Sequence, residues 1–148
     1  AFGEASTPEF ADYAARIVRN SGALVKGLAE EGFRLVSGGS DNHLLLVDLR
    51  SFDEDLTGKV AQEVLDRAGI TLNKNTVPDD PRSPFVTSGV RIGTPATTTQ
   101  GMGSEEMGLI AGMIGRTLRQ RDDEGVVAEV RAEVADLCGR FTPYSLAG

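Results

Sequence analysis

The sequence predicts one small α/β domain, in which helices cover one face of a three- or four-stranded sheet. Apolar residues recur at helical spacing in several long segments, and short apolar runs of strand length lie between those segments. The length of 148 residues is that of one ordinary domain. A hydrophobic fraction of 40% and a charged fraction of 25% are typical of a globular protein with a core of its own.

The first half of the chain is predicted to form a helix, two strands and a second helix. Thr7 followed by Pro8 is typical of a helix start, and glycines at 32 and 69 are typical of helix ends. The two strands are expected to pair antiparallel because only a short loop separates them. In order, these elements are a helix after Thr7, strands at 33–37 and 43–49, and a helix capped by Thr57.

The second half is predicted to form two more strands and then helices. In order, these are strands at 70–72 and 85–92, a short helix opening at Thr94, a longer helix capped at Ser104 and a last helix at 124–138. Residues 140–148 show no periodicity. Gly108 and Gly112 lie four residues apart in a helix, which indicates close packing against another element of the chain or against a partner domain.

Charge and composition exclude several classes of function. The net charge of −7 and the scattered basic residues argue against nucleic-acid binding. No apolar run reaches the length of a membrane span, and the N-terminus lacks the pattern of a signal peptide. The single cysteine, Cys138, fits a reducing compartment, so we expect a cytoplasmic protein. Because the sequence begins at Ala1 and not at Met, we expect a processed chain or a piece of a longer one.

The most unusual segment is residues 73–96. Pro78, Pro81 and Pro84 stiffen its first half, and a strand-like run ends at Arg91. Long irregular segments inside a domain are usually functional or disordered, and the Val, Phe and Ile content of this one argues against disorder. We therefore predict a rigid frame that binds a small anionic molecule.

Three parts of this segment are candidate binding groups. Arg91 emerges as a lone cation from an apolar strand, so it either binds a carboxylate through two parallel hydrogen bonds or forms an internal salt bridge. Ser83, Pro84 and Phe85 either present backbone groups and an aromatic wall to a polar ring or form a rigid turn. Asn75 could bind a ligand through its amide, although Asn is equally common in turns.

Other polar residues do not form a catalytic group in the sequence. His43, the only histidine, is interpreted as a structural residue at a strand start in preference to a general base. One histidine and one cysteine cannot form a usual zinc site. Asp79 and Asp80 are interpreted as turn residues.

Three segments together resemble the serine hydroxymethyltransferase family. Residues 36–49 contain Ser-Gly-Gly-Ser-Asp-Asn-His, which is similar to the family's Ser-Gly-Gly-Thr-Asp-Asn-His. Residues 70–96 resemble the family's long signature around its substrate arginine, and residues 137–144 resemble its ending. The segments follow the family's order, and the resemblance covers the chain but only the C-terminal third of such an enzyme.

The resemblance implies a function for each candidate residue. Arg91 falls at the position that binds the α-carboxylate of serine or glycine. Ser83, Pro84 and Phe85 fall at the segment that contacts tetrahydrofolate, and Asn75 falls near the pterin ring. Residues 1–148 would be the small C-terminal domain of the aminotransferase-like (fold type I) pyridoxal-phosphate transferase fold, in a homodimeric or homotetrameric enzyme.

The resemblance also implies that the catalytic lysine lies elsewhere. The family binds pyridoxal 5′-phosphate on a lysine in a Thr-Thr-Thr-His-Lys motif, and the lysines of this chain, Lys26, Lys59 and Lys74, are not in such a motif. We therefore expect no catalytic residue in this sequence. Two alternatives stay open: an isolated, inactive folding or interaction domain, and the small domain of another pyridoxal-phosphate enzyme such as an aminotransferase.

Overall fold

Helices and short strands alternate along the chain. The computed structural model describes residues 2–141, with the backbone alone at Phe2 and Glu4. The helices are α1 (Phe2–Ala5), α2 (Pro8–Glu30), α3 (Gly58–Arg67), α4 (Pro95–Thr99), α5 (Ser104–Arg119) and α6 (Glu124–Arg140). The strands are β1 (Arg34–Leu35), β2 (Leu44–Asp48), β3 (Asn73–Asn75) and β4 (Gly89–Gly93), and a 3₁₀ turn, Leu49–Ser51, follows β2. Of the tail predicted at 140–148, Arg140 is helical and ends α6, and residues 142–148 lie outside the described residues.

The strands form one antiparallel sheet in the order β1-β2-β4-β3. The side chains that point from the two central strands into the core are Leu45, Val47, Val90 and Ile92. They pack in one hydrophobic cluster with buried residues of α2, α3, α5 and α6. The predicted α/β class, with a short antiparallel sheet covered by helices, is confirmed, and so is the antiparallel pairing of the first two strands.

Side-chain caps fix where several helices begin. Thr7 and Thr57 begin α2 and α3 as predicted, since each hydroxyl accepts a backbone N–H three residues further on. The predicted cap of α5 is wrong by one residue, because the N-cap is Gly103 and not Ser104. Glu106 explains the shift, since its carboxylate accepts the Gly103 N–H at 2.8 Å.

The strand predicted at 70–72 is misplaced by three residues. Leu72 is 7% exposed and packs in the core, but the ladder of hydrogen-bonded pairs begins at Asn73, which lies opposite Arg91. The apolar residues at 70–72 resemble a strand in the sequence because they are buried. The strand begins only at Asn73, where the backbone pairs with β4.

The strand predicted at 85–92 begins four residues later, at Gly89. The carbonyl of Ser83 accepts the N–H groups of Val86 (3.0 Å) and Thr87 (2.9 Å), which forms a turn. Thr87 then adopts a positive φ of 61°. Because this backbone is not extended, residues 85–88 belong to the connection between β3 and β4.

Some apolar residues that recur at helical spacing in the sequence lie at the surface. Phe10 is 45% exposed, Val60 is 37% exposed, and Cys138 is exposed. Val60 and Cys138 are each the sequence neighbour of a buried residue, and neighbours on a helix point about 100° apart. None of the helices within residues 2–141 has both the length and the apolar character needed to cross a membrane.

Glycines allow α2 and α5 to approach closely. A Cβ atom at Gly27 would lie 2.7 Å from the Cβ of Ala111 and 3.6 Å from the Cα of Gly108. At the other end of the contact, a Cβ at Gly115 would lie 2.3 Å from a carboxylate oxygen of Glu31. α5 therefore packs closely against a helix of the same chain, but the glycines that the contact requires are Gly27 and Gly115. The prediction named the wrong residues, because a Cβ at Gly108 would meet nothing within 4 Å and one at Gly112 would lie 3.9 Å from Glu31.

We predict opposite effects for two glycine substitutions in α2. Gly22→Ala should stabilise the protein by up to about 1 kcal/mol, because Ala favours a helix and nothing lies within 4 Å of the new Cβ. Gly27→Ala should be less stable than Gly22→Ala by about 2 kcal/mol, because its Cβ overpacks the contact with α5. Urea denaturation of both variants measures the difference, and equal stabilities would contradict the close helix contact.

Candidate functional site

Arg91 projects from the side of the sheet that faces away from the core. Its neighbours Val90 and Ile92 are 1% and 8% exposed, whereas Arg91 is exposed. Directly opposite Arg91 in the ladder lie Asn73 on β3 and Leu46 on β2. Opposite residues of an antiparallel pair share a side of the sheet. We call this side the open face; its residues are Leu44, Leu46, Asp48, Asn73, Asn75, Gly89, Arg91, Gly93 and Arg34.

Within residues 2–141, the guanidinium of Arg91 makes no hydrogen bond and no ion pair. The internal salt bridge considered from the sequence is thus not formed in the described part of the chain. An exposed cation with no protein partner retains its full set of donors for a ligand.

Asp48 shows why no acid of the open face neutralises Arg91. Its ladder partner Gly89 lies two residues before Arg91, so Asp48 and Arg91 are diagonal neighbours on adjacent strands. Arg50 binds both oxygens of Asp48 instead, through Nε at 2.9 Å and Nη2 at 2.7 Å. The hydrogen bonds from Arg50 lower the pKa of the Asp48 carboxyl, even though burial opposes the shift. The carboxylate closest in the ladder is therefore already paired.

Asn75 lies on the open face beside Arg91. Its ladder partner is Gly89, which places Asn75 diagonally from Arg91 with Cβ atoms about 7 Å apart. The Asn75 amide nitrogen donates to the Thr76 carbonyl at 2.9 Å. This contact uses one of the two N–H donors of the amide. The structure therefore brings two of the sequence-predicted residues together.

Ser83, Pro84 and Phe85 lie apart from these two residues, at the tip of the connection 76–88. All three are exposed, and Phe85 is 81% exposed. The connection leaves the sheet after Asn75 and returns at Gly89, so its tip is at the end of the sheet where Asn75 lies. The predicted folate segment is thus part of the same hairpin as Arg91 and not of the open face itself.

The N-terminus of α3 anchors the returning half of the connection. The N–H groups of Gly58 and Lys59 donate to the carbonyls of Thr87 and Val86, each at 3.0 Å. These amides have no partner within their own helix, so the connection satisfies them. Only glycine fits at position 58, because a Cβ there would lie 2.0 Å from Thr87 Oγ1 and 2.3 Å from the Gly89 carbonyl oxygen.

The Asp80 carboxylate accepts four hydrogen bonds from other residues of the same connection. Its Oδ2 accepts the N–H groups of Val77 (3.2 Å) and Ser88 (2.9 Å). Its Oδ1 accepts the Arg82 N–H at 2.9 Å and the Ser88 hydroxyl at 2.7 Å. Burial would raise the pKa of Asp80, but these hydrogen bonds outweigh it and lower the pKa to about 2.

The Arg82 side chain ties the connection to a second loop. Its Nη1 donates to Ser88 Oγ at 2.9 Å and to the Leu56 carbonyl at 3.4 Å, and its Nη2 donates to the Glu54 carbonyl. The sequence predicts only an ordinary turn at Asp80 and no role for Arg82. The available signal was the Asp-Pro-Arg order, since an Asp side chain often accepts the N–H two residues on.

The lysines of the chain do not face this site. Lys26 and Lys59 are exposed on helices, 3.9 Å from Glu30 and 4.0 Å from Glu63. Lys74 lies opposite Val90 and so on the side of β3 away from Arg91. The open face therefore offers donors for an anion and an amide for a ring, but no amine for covalent attachment of an aldehyde. Among the residues described, no cluster of three or more His, Cys, Asp or Glu could hold a metal ion.

We predict that the free energy of unfolding decreases at acidic pH because Asp80 becomes protonated. Its folded pKa of about 2 lies below the unfolded value, so the ionised form stabilises the protein above about pH 4 and this contribution disappears as the pH falls towards about 2. Asp80→Asn should lower the free energy of unfolding at neutral pH by about 2 kcal/mol, because buried donors lose a charged acceptor.

Urea denaturation across this pH range tests the prediction. The difference between wild type and Asp80→Asn should shrink below about pH 4, and a difference independent of pH would contradict it. Asp79→Asn is the matched control, since Asp79 is exposed and its carboxylate accepts no hydrogen bond within the described residues.

Comparison with known families assigns the chain to one of them. The family model described as serine hydroxymethyltransferase matches residues 1–114. The match covers well over half of the chain and includes Asn75, the connection 76–88 and Arg91. The four-stranded antiparallel sheet with its covering helices is consistent with the small domain of that family's pyridoxal-phosphate transferase fold. The chain belongs to the serine hydroxymethyltransferase family.

Proposed function

We propose that residues 1–148 are the small C-terminal domain of a serine hydroxymethyltransferase. The intact enzyme interconverts serine plus tetrahydrofolate and glycine plus 5,10-methylenetetrahydrofolate, with pyridoxal 5′-phosphate. Family membership supports the proposal. The observation that carries this chain's part in it is the guanidinium of Arg91 on the open face, diagonal to Asn75 and without a partner in the described range 2–141.

Arg91 would bind the α-carboxylate of serine or glycine. A guanidinium forms two parallel hydrogen bonds with a carboxylate, so it fixes the orientation of the amino acid as well as its charge. Because Arg91 stands on the central strand β4, the sheet holds its backbone in place. Such positioning of a reacting group can lower a barrier by several kcal/mol.

The connection 76–88 and Asn75 would form the folate side of the site. Phe85 is almost wholly exposed, so its ring can cover a flat ligand without leaving any protein contact. Ser83 and Pro84 would contribute backbone groups beside it, and Asn75 would hydrogen-bond the polar edge of the pterin ring. These donors and acceptors suit a planar, polar heterocycle.

Pyridoxal phosphate, when bound, supplies an electron sink for the bonds broken at the amino-acid α-carbon. The open face has no amine to hold it, so the attaching lysine would come from outside these 148 residues. This same observation favours the second interpretation for the isolated chain, which by itself would be a folded domain without activity. A homodimeric or homotetrameric assembly, which the family resemblance implies, and a cytoplasmic location, which the single cysteine favours, also belong to the proposal.

We predict that Arg91→Lys weakens serine binding. Lysine keeps the charge but loses the paired hydrogen bonds, so the dissociation constant for serine should rise at least about tenfold. Titration of the protein expressed from its complete reading frame measures the effect. Arg34→Lys, also exposed on the open face, is the matched control and should bind serine normally. Unchanged serine affinity in Arg91→Lys would refute the assigned role.

We predict that Phe85→Ala weakens tetrahydrofolate binding and leaves stability unchanged. Loss of a stacking ring should raise the dissociation constant about tenfold, while an exposed side chain contributes little to folding. Calorimetric titration of the same protein gives the first quantity and thermal denaturation the second. Phe10→Ala, which removes another exposed phenylalanine far from the hairpin in sequence, should bind folate like wild type. Equal folate affinity in both variants would count against the proposal.

A further inference from the structure

We propose that Asp80, together with Arg82, is a positioning residue for the folate-contacting tip at Ser83–Phe85. The two residues hold the connection 76–88 in its binding conformation before the ligand arrives. This inference rests on the proposed function, because it concerns the same site. Asp80 and Arg82 act through hydrogen bonds at the base of the connection and to the loop before α3, and they do not themselves form the exposed tip.

The tip cannot hold itself in place. Ser83, Pro84 and Phe85 are all exposed, and the hydrogen bonds that Val86 and Thr87 donate to the Ser83 carbonyl form only a local turn. An unsupported segment of this kind would have to be ordered by the ligand, and that ordering lowers affinity. The orientation of the tip therefore depends on whatever fixes the rest of the connection.

Asp80 joins the two ends of the connection. Val77 lies where the chain leaves β3 and Ser88 lies where it enters β4, and the Asp80 Oδ2 atom accepts an N–H from each. The Oδ1 atom accepts the N–H of Arg82, the residue immediately before the tip. One carboxylate thus sets the separation of the ends and the direction in which the tip begins.

Arg82 and Ser88 connect this carboxylate to the body of the domain. Ser88 is fully buried, and its hydroxyl accepts from Arg82 Nη1 while it donates to Asp80 Oδ1. The remaining Arg82 donors reach the carbonyls of Leu56 and Glu54, in the loop that precedes α3. Because the Ser88 hydroxyl accepts from one charged group and donates to another, both charged side chains are held in one geometry.

The hydrogen bonds from the N-terminus of α3 should confine the effect of losing the Asp80 carboxylate to part of the connection. Gly58 and Lys59 hold Thr87 and Val86 through backbone bonds that do not involve Asp80. Loss of the Asp80 carboxylate should therefore loosen residues 77–85 while β3, β4 and Arg91 stay paired. The expected consequence is weaker binding of folate with normal binding of the amino acid.

The test compares Asp80→Asn with Asp79→Asn in the protein expressed from its complete reading frame. An Asn side chain at position 80 replaces an acceptor oxygen by a donor group, so it opposes N–H groups that need an acceptor. We expect the dissociation constant for tetrahydrofolate to rise about tenfold in Asp80→Asn, with serine affinity unchanged. Amide hydrogen exchange within 77–85 should become faster without added ligand, and Asp79→Asn should behave like wild type in all three measurements.

Each other result overturns the inference in a distinguishable way. Wild-type folate affinity in Asp80→Asn would show that the carboxylate does not position the tip. Equal losses of folate and serine affinity would show a general structural role only. If the wild-type protein itself binds no folate, the proposed function fails and the inference fails with it.

A second variant applies if Asp80→Asn does not fold. Ser88→Ala removes the hydroxyl between Arg82 and Asp80 but leaves the three backbone N–H groups that bind the carboxylate. Folate affinity should then fall about threefold with serine affinity unchanged, and no change in folate affinity would overturn the inference.

Discussion

The register of β4 is the constraint on which the rest of the structure depends. This strand lies between β2 and β3, and it buries Val90 and Ile92 against the helices. Since side chains alternate along a strand, burial of these two residues turns Arg91 to the opposite side. A slip of one residue would bury a guanidinium and expose two apolar side chains, which is strongly unfavourable. The hydrophobic core thereby fixes the cation of the candidate site.

Hydrogen bonds to the carboxylates of Asp48 and Asp80 determine which charged side chains lack a partner. Asp48 is the acidic residue closest to Arg91 in the ladder, but Arg50 already holds both of its oxygens. Asp80 is occupied in the same way by the donors of its own connection. Carboxylates bound by several donors are not free to neutralise a nearby cation, so the internal pairing of these acids leaves the guanidinium of Arg91 without an acidic partner among the described residues.

The connection 76–88 combines an exposed tip with a rigid base. Its base is held by the amides of α3, by the Asp80 carboxylate and by the reach of Arg82 to another loop. Thr87 takes a left-handed conformation within it, which is uncommon for a non-glycine residue. Loops that bind ligands are most effective when a scaffold fixes them, because less entropy is lost on binding. The arrangement fits a segment with an exposed tip and a base held by hydrogen bonds to the rest of the domain.

The sequence by itself determined the α/β class, the main helices and the family, because periodic burial, capping residues and the motif at 73–96 are local signals. It also singled out Arg91, since a lone cation between apolar strand residues is visible in one dimension. Only the tertiary structure decided that β3 begins at Asn73, that Arg91 has no partner among the described residues, and that Asp80 closes the connection. The start of β3 and the bonding of Asp80 depend on contacts between residues that are separated in the chain, and the state of Arg91 depends on which polar groups lie near it in space. The pattern of neighbouring residues in the sequence does not report these contacts.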